Sequence, residues 1–176
     1  MGFWNQFKAD WPLYRRVAID ILQYYCLVKS IQKYILDLEI CVGPSMEPTF
    51  EKDGSLIVRE NLTSRFCENK QGDVVVACNP LDVRHQICKR VIGLPGDSIF
   101  SPRKEQLTVV PPGHVWLQGD NLNNSRDSRE YGPVPEALIL GRVVYQVWPV
   151  KQLGAVKRQQ QASDHSRWSG KWFGPT

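Results

Sequence analysis

From about residue 43 to 148 the chain breaks into short runs of β-forming residues, each closed by a Gly-, Asp- or Pro-containing step. This rhythm limits the fold more than any other feature. The runs fall at Ser55–Arg59, Asp73–Ala77, Gln86–Ile92, Leu107–Val110, His114–Gln118 and Arg142–Trp148. Between them stand Asp53-Gly54, Gly72-Asp73, Pro95-Gly96-Asp97, Pro112-Gly113 and Gly119-Asp120. Such steps suit tight turns, because Gly accepts positive φ and Pro pre-sets its own. The pattern predicts a mainly β, antiparallel domain over residues 43–153.

Residues 1–42 have a different texture. Val17, Ile21, Tyr24, Val28, Ile31, Ile35 and Leu38 recur at alternating spacings of four and three, which predicts an amphipathic helix. Its apolar stripe suits the protein's own core, a partner helix or a membrane interface. A conventional span needs about 20 mostly apolar residues. Asp20, Lys29, Lys33, Asp37 and Glu39 interrupt every candidate. The start Met1-Gly2 has Gln at position 6, where a myristoylation pattern wants Ser or Thr. No signal peptide is evident. Residues 154–176 lack periodicity and read as a flexible tail.

The formal charge of +4 is carried mostly by residues 157–176, so no basic face for nucleic acid is expected. Cys26, Cys41, Cys67, Cys78 and Cys88 form no CxxC pair and no metal-ligand spacing with the three histidines. They read as mostly buried, reduced thiols, with no metal and no cofactor implied. There is no G-x-S-x-G, and His85, His114 and His165 have no companion motif, so a Ser-His-Asp hydrolase is disfavoured. No H-E-x-x-H is present for zinc hydrolysis. Ser30-Ile31-Gln32-Lys33 matches S-x-x-K, but it lies in the amphipathic helix without SDN or KTG partners.

A lysine serves as a general base once desolvation disfavours its charged form. In Ile87-Cys88-Lys89-Arg90-Val91-Ile92 the two basic residues point to opposite faces of a strand, so one of them must meet the more apolar side. Arginine does not deprotonate usefully, which leaves Lys89 as the base candidate of the pair. A solvated edge lysine fits this run equally. Ser45, in Gly43-Pro44-Ser45-Met46-Glu47-Pro48-Thr49, sits between two prolines that stiffen its turn. That rigidity suits a nucleophile, though the segment also reads as ordinary turn sequence.

Taken in order, these segments resemble the type I signal peptidases. Gly43–Thr49 resembles their nucleophile box, Gly72–Val76 the following strand, and Lys89–Asp97 the general-base box. Gly119-Asp120-Asn121, Asn124–Arg129 and Gly132-Pro133-Val134 resemble the last box. The match covers about residues 40–150. It implies an antiparallel β-sheet or pseudo-barrel catalytic domain behind an N-terminal amphipathic or membrane-associated helix. It also implies roles: Ser45 as nucleophile, Lys89 as general base and Ser125 as the hydroxyl that orients the lysine amine. Asp127 and Arg129 would be a supporting ion pair, and backbone N–H groups around Ser45 the oxyanion donors. Some bacterial members carry a hydroxyl residue two before the nucleophile, and here that position is Gly43.

Only about thirty residues separate Lys89 from Gly119, which excludes the large β insertion of many bacterial members. The runs Ile87–Leu94 and Gly113–Asn121 are similar to the mitochondrial inner membrane branch of the family, its subunit 1 above all. That similarity implies an inner-membrane location with the catalytic domain facing the intermembrane space. The implied partners are a paralogous second catalytic subunit, forming a heterodimer, and precursor proteins with sorting signals. A self-cleaving repressor would need a DNA-binding domain in residues 1–42, where one helix stands instead. A bacterial-type signal peptidase and a catalytically silent subunit are the remaining alternatives.

Overall fold

A computed structural model describes residues 3–62, 69–101 and 105–159. Cys67, His165 and residues 160–176 of the expected tail lie outside the described residues, as do Met1 and Gly2. Helix α1 spans Phe3–Tyr34 and ten strands follow. They are β1 (Leu36–Cys41), β2 (Ser55–Glu60), β3 (Val74–Asn79), β4 (Asp82–Gly93), β5 (Ser98–Ser101), β6 (Gln106–Val109), β7 (His114–Gln118), β8 (Val134–Pro135), β9 (Ile139–Trp148) and β10 (Gly154–Ala155). A short helix α2 covers Ser128–Tyr131.

All strand pairs are antiparallel, in the order β1-β2-β9-β3-β4-β7-β8, with β10 on β9 and β5-β6 as a separate hairpin. The antiparallel β architecture is therefore as the sequence predicts. The sheet has two ends, and among the described residues β1 does not pair with β8, so it does not close into a barrel.

Each of the six expected strands is present, with β4 and β9 extended at their N-terminal ends. The short strands β5, β8 and β10 were not foreseen. Strand β3 shows why its run is uniformly apolar. Val75 and Ala77 join a cluster with Val91, Val115, Leu117, Val134 and Ile139. Val74 and Val76 face the opposite way, onto Met46, Phe50, Ile57 and Val143. A strand covered on both faces has no polar alternation to show.

The helix ends earlier than its periodicity implies. Ile35 and Leu38 lie beyond it, because Leu36-Asp37-Leu38-Glu39-Ile40-Cys41 alternates with the period of a strand and pairs with β2. Arg59 of β2 holds both acids, Asp37 at 3.1 Å and Glu39 at 2.6 Å. Asn61 then satisfies the helix terminus, its side chain donating to the carbonyls of Gln32 and Lys33.

The apolar stripe of α1 does not pack on the protein's own core. Val17, Ile21, Tyr24 and Ile31 are exposed, as are Trp11, Leu13, Tyr14, Leu22 and Leu27. The outward face of β1 continues this surface through Leu36, Leu38 and Ile40. Among the described residues no helix is long and apolar enough to cross a membrane.

Candidate active site

Ser45 sits on a 3-10 turn, Pro44–Met46, half-buried at the edge of the core. Met46 and Phe50, both fully buried, anchor the turn from below. Gly43 enters it at φ +114°, a left-handed conformation that L side chains adopt only with strain. The missing hydroxyl at this position therefore has a backbone cause. The turn packs against β4, the strand that carries Lys89.

Lys89 pairs with Val75 across β3 and β4, on the side of the Val75–Val91–Leu117 cluster. Only 4% of its surface is exposed. Burial lowers its pKa from the ordinary lysine value, against the opposing pull of Cys88 and Asp127. Among the described residues no carboxylate lies within ion-pair distance of the amine. The sequence suggested that one of the two adjacent basic residues would face an apolar side. Both are buried: Arg90 is fully inaccessible on the opposite face.

Arg90 is neutralised there by a network the sequence did not disclose. Its Nε and Nη2 donate to the two oxygens of Asp120 at 2.8 and 2.6 Å, and its Nη1 to the carbonyl of Gly72 at 2.8 Å. Asp120 also accepts from the Thr49 hydroxyl, and Asn121 N–H donates to the Ser45 carbonyl at 3.1 Å. The Asn121 side chain also donates to the Glu47 carboxylate at 3.3 Å, so the Ser45–Thr49 segment is tied to the Gly119–Asn121 loop at three points. The only sequence signal was the strand alternation that turned Arg90 inward.

Gly119 brings a third element in. A Cβ placed there would collide with the Ser125 side chain and the Ser45 carbonyl, so only hydrogen fits between them. Ser125 is buried, with its hydroxyl close enough to Asp127 to favour that carboxyl's charged form. Asp127 also receives Arg129 Nε and Nη2, each at 2.8 Å, and the N–H of Gly119 at 3.1 Å. Burial pushes the Asp127 carboxyl up, but Arg129, Ser125 and the Gly119 amide together hold it below the ordinary value. The structure therefore gathers Ser45, Ser125, Asp127 and Arg129 around Gly119, with Lys89 in the electrostatic range of Asp127 and Arg129.

A cleft of about 200 Å³ runs beside this site, lined among others by Cys41, Val42, Val76, Gln86 and Cys88. Two strand edges face it. Strand β1 pairs only with β2, and β4 pairs with β7 only from Arg90 onward. Among the described residues the edges at Glu39–Cys41 and Gln86–Cys88 thus keep free backbone groups.

The other candidates stay outside this arrangement. His85 is exposed beside Asp82, and His114 bonds the carbonyl of Pro112. Ser30 lies on α1 and donates to the Cys26 carbonyl. No group of potential metal ligands occurs among the described residues. Cys26, Cys41, Cys78 and Cys88 are free thiols, as expected, but Cys26 is exposed and the other three are only partly buried.

The family model described as signal peptidase, peptidase S26, matches residues 14–109 and 99–148. Mitochondrial inner membrane protease subunit 1 of Mus musculus is 43% identical over 146 residues, covering 81% of this chain and 87% of its own. The subunit of the same name from Xenopus tropicalis is 44% identical, covering 84% and 90%. Mitochondrial inner membrane protease subunit 2 of Schizosaccharomyces pombe is 30% identical, covering 80% and 81%. With the family match across most of the sheet and this level of identity to its members, the chain belongs to the peptidase S26 family of signal peptidases.

Proposed function

We propose that Ser45 is the nucleophile and Lys89 the general base of this peptidase, acting on precursor proteins at the mitochondrial inner membrane. The observation that carries the reading is the burial of Lys89 against an apolar cluster, with no ion pair among the described residues. Such an amine gives up its proton far more readily than a solvated one. Neutral Lys89 takes the Ser45 proton as the hydroxyl oxygen attacks the scissile carbonyl. Backbone N–H groups around Ser45 meet the oxyanion. The lysine then protonates the departing amine, and the acyl-enzyme is hydrolysed by a water that Lys89 activates in its turn. The Ser125 hydroxyl hydrogen-bonds the Lys89 amine and aims its nitrogen at Ser45.

The substrate lies extended in the cleft and pairs with the open edges of β1 and β4. Main-chain bonds hold it, and the wall of Val42, Val76 and the two cysteines selects side chains. The catalytic unit starts with β1 and includes the sheet through β10, so residues 36–42 belong with it. The α1 surface, continued by Leu36, Leu38 and Ile40, meets the inner membrane or a paralogous second subunit, with the sheet in the intermembrane space. The names of the relatives support the compartment, and the similarity to a subunit 2 supports a two-subunit enzyme.

The test is precursor processing in mitochondria whose own copy is replaced by Ser45→Ala or Lys89→Ala. Uncut precursor should accumulate with either variant while the protein remains folded and membrane-bound. Near wild-type turnover with Lys89→Ala would remove the dyad. Full processing with both variants would make the chain a silent subunit.

A further inference from the structure

Two strands that never pair with each other place their sulfurs in the same cleft. Cys41 ends β1, and Cys88 lies on the open edge of β4. Both side chains line that cleft and rest on the Met46–Phe50–Ile57 cluster beneath it. Both are partly accessible, and the proton transfers assigned to Ser45 and Lys89 use neither.

We propose that Cys41 and Cys88 form a dithiol site that reacts with a small-molecule disulfide and, once bridged, shuts the peptide cleft. The proposal rests on the cleft being the peptide site. A strand inserted between β1 and β4 needs two interstrand spacings, about 9.6 Å in all. A disulfide holds its two Cα atoms within about 7 Å. The bridge and the inserted peptide are therefore mutually exclusive.

The two thiols are unequal, which sets the order of attack. The neighbouring Cys88 thiol lowers the pKa of Cys41, outweighing its burial. The neighbouring Cys41 thiol and burial together raise Cys88. Cys41 thiolate attacks one sulfur of glutathione disulfide, whose S–S bond breaks and releases one glutathione thiolate. Cys88 then gives up its proton and attacks the Cys41 sulfur, expelling the second glutathione. Two protein thiols are oxidised, one disulfide is reduced to two thiols, and the two protons pass to the departing thiolates. An excess of a reducing dithiol reverses both steps.

The full-length protein, reconstituted in vesicles, should be equilibrated with glutathione disulfide, alkylated and digested for mass analysis. Turnover should be read in parallel on a precursor that accumulates with Ser45→Ala. A Cys41–Cys88 linked peptide is expected, with turnover reduced at least tenfold and restored by dithiothreitol. Cys41→Ser and Cys41→Ala should each keep at least half of their own reduced turnover under the same oxidation, while Cys88→Ser should stop at a Cys41–glutathione mixed disulfide. The proposal fails if no Cys41–Cys88 peptide forms, if the bridge forms with turnover unchanged, or if the Cys41 variants are inactivated as fully as wild type. Failure of the dyad reading looks different: the reduced enzyme is then inactive, while the linked peptide is still counted by mass.

Discussion

Arg90 grips Asp120 through two parallel hydrogen bonds of 2.8 and 2.6 Å, one residue along β4 from Lys89. Both side chains are almost wholly inaccessible. The pair therefore fixes, from the opposite face of the same strand, where the lysine stands relative to the loop that holds the Ser45 carbonyl. Removing one member of such a pair leaves the other charged and buried, at a cost of about 3–5 kcal/mol. Asp120→Asn should lower the unfolding free energy by that order in urea titrations, and Arg90→Lys should lose activity because an ammonium cannot make both bonds.

The buried lysine gives a pH dependence with a defined sign. Its folded pKa lies below the ordinary value of about 10.4. As pH falls through the folded value the amine takes a proton and can no longer act as a base, so kcat/KM should drop on its acidic side. A flat profile down to mildly acidic pH would count against the dyad. Stability follows the same group: its contribution is complete above about pH 10.4 and declines as pH falls toward the folded value. Lys89→Met removes this loss, and should unfold at an equal or higher urea concentration while turnover falls at least about a thousandfold.

Asp127 has the opposite titration range. Its folded pKa is depressed, so its stabilisation is present above an ordinary aspartate value of about 3.9 and is lost as pH falls through the folded value. Acid unfolding should show this step. Asp127→Asn should abolish it and destabilise the fold by about 3–5 kcal/mol at neutral pH, since Arg129 would be left without its carboxylate.

Gly43 offers a separation of backbone from side-chain effects. A Cβ there meets nothing within 4 Å, yet φ is +114°. Gly43→Ala should therefore cost about 1–2 kcal/mol from backbone strain alone. The turn can relax by moving Ser45, so kcat should fall more than KM rises in steady-state measurements. Gly43→Ser should do no better, because an added hydroxyl does not remove the strain.

The legible parts of the fold were those with a local signature. The six strands carried turn residues at their ends, and Val74–Val76 carried the unbroken apolar run of a doubly covered strand. What escaped notice depended on distant partners. Strand β1 was absorbed into the helix because Ile35 and Leu38 continue the helical spacing, and only its pairing with Arg59 and its neighbours makes Asp37 and Glu39 inward-facing. The Asp120–Arg90 pair spans 30 positions, which no local pattern reports. Family membership was legible through the order of four segments, two of which carry Ser45 and Lys89. Gly119 was visible as a turn glycine and as part of the last family box, but not as the residue whose missing Cβ seats Ser125 beside the Ser45 turn.

The position of β9 has a consequence for the life of the molecule before it is finished. The strand inserts between β2 and β3, so the half of the sheet next to Ser45 and the half that carries Lys89 share a ladder only through it. Its residues, Ile139–Trp148, are among the last of the sheet to be threaded across a membrane or released from a ribosome. Contacts between segments so far apart in the chain form late and slowly. A nascent chain thus holds Ser45 and Lys89 on separate hairpins. The two residues come to share one sheet only when the last long strand arrives.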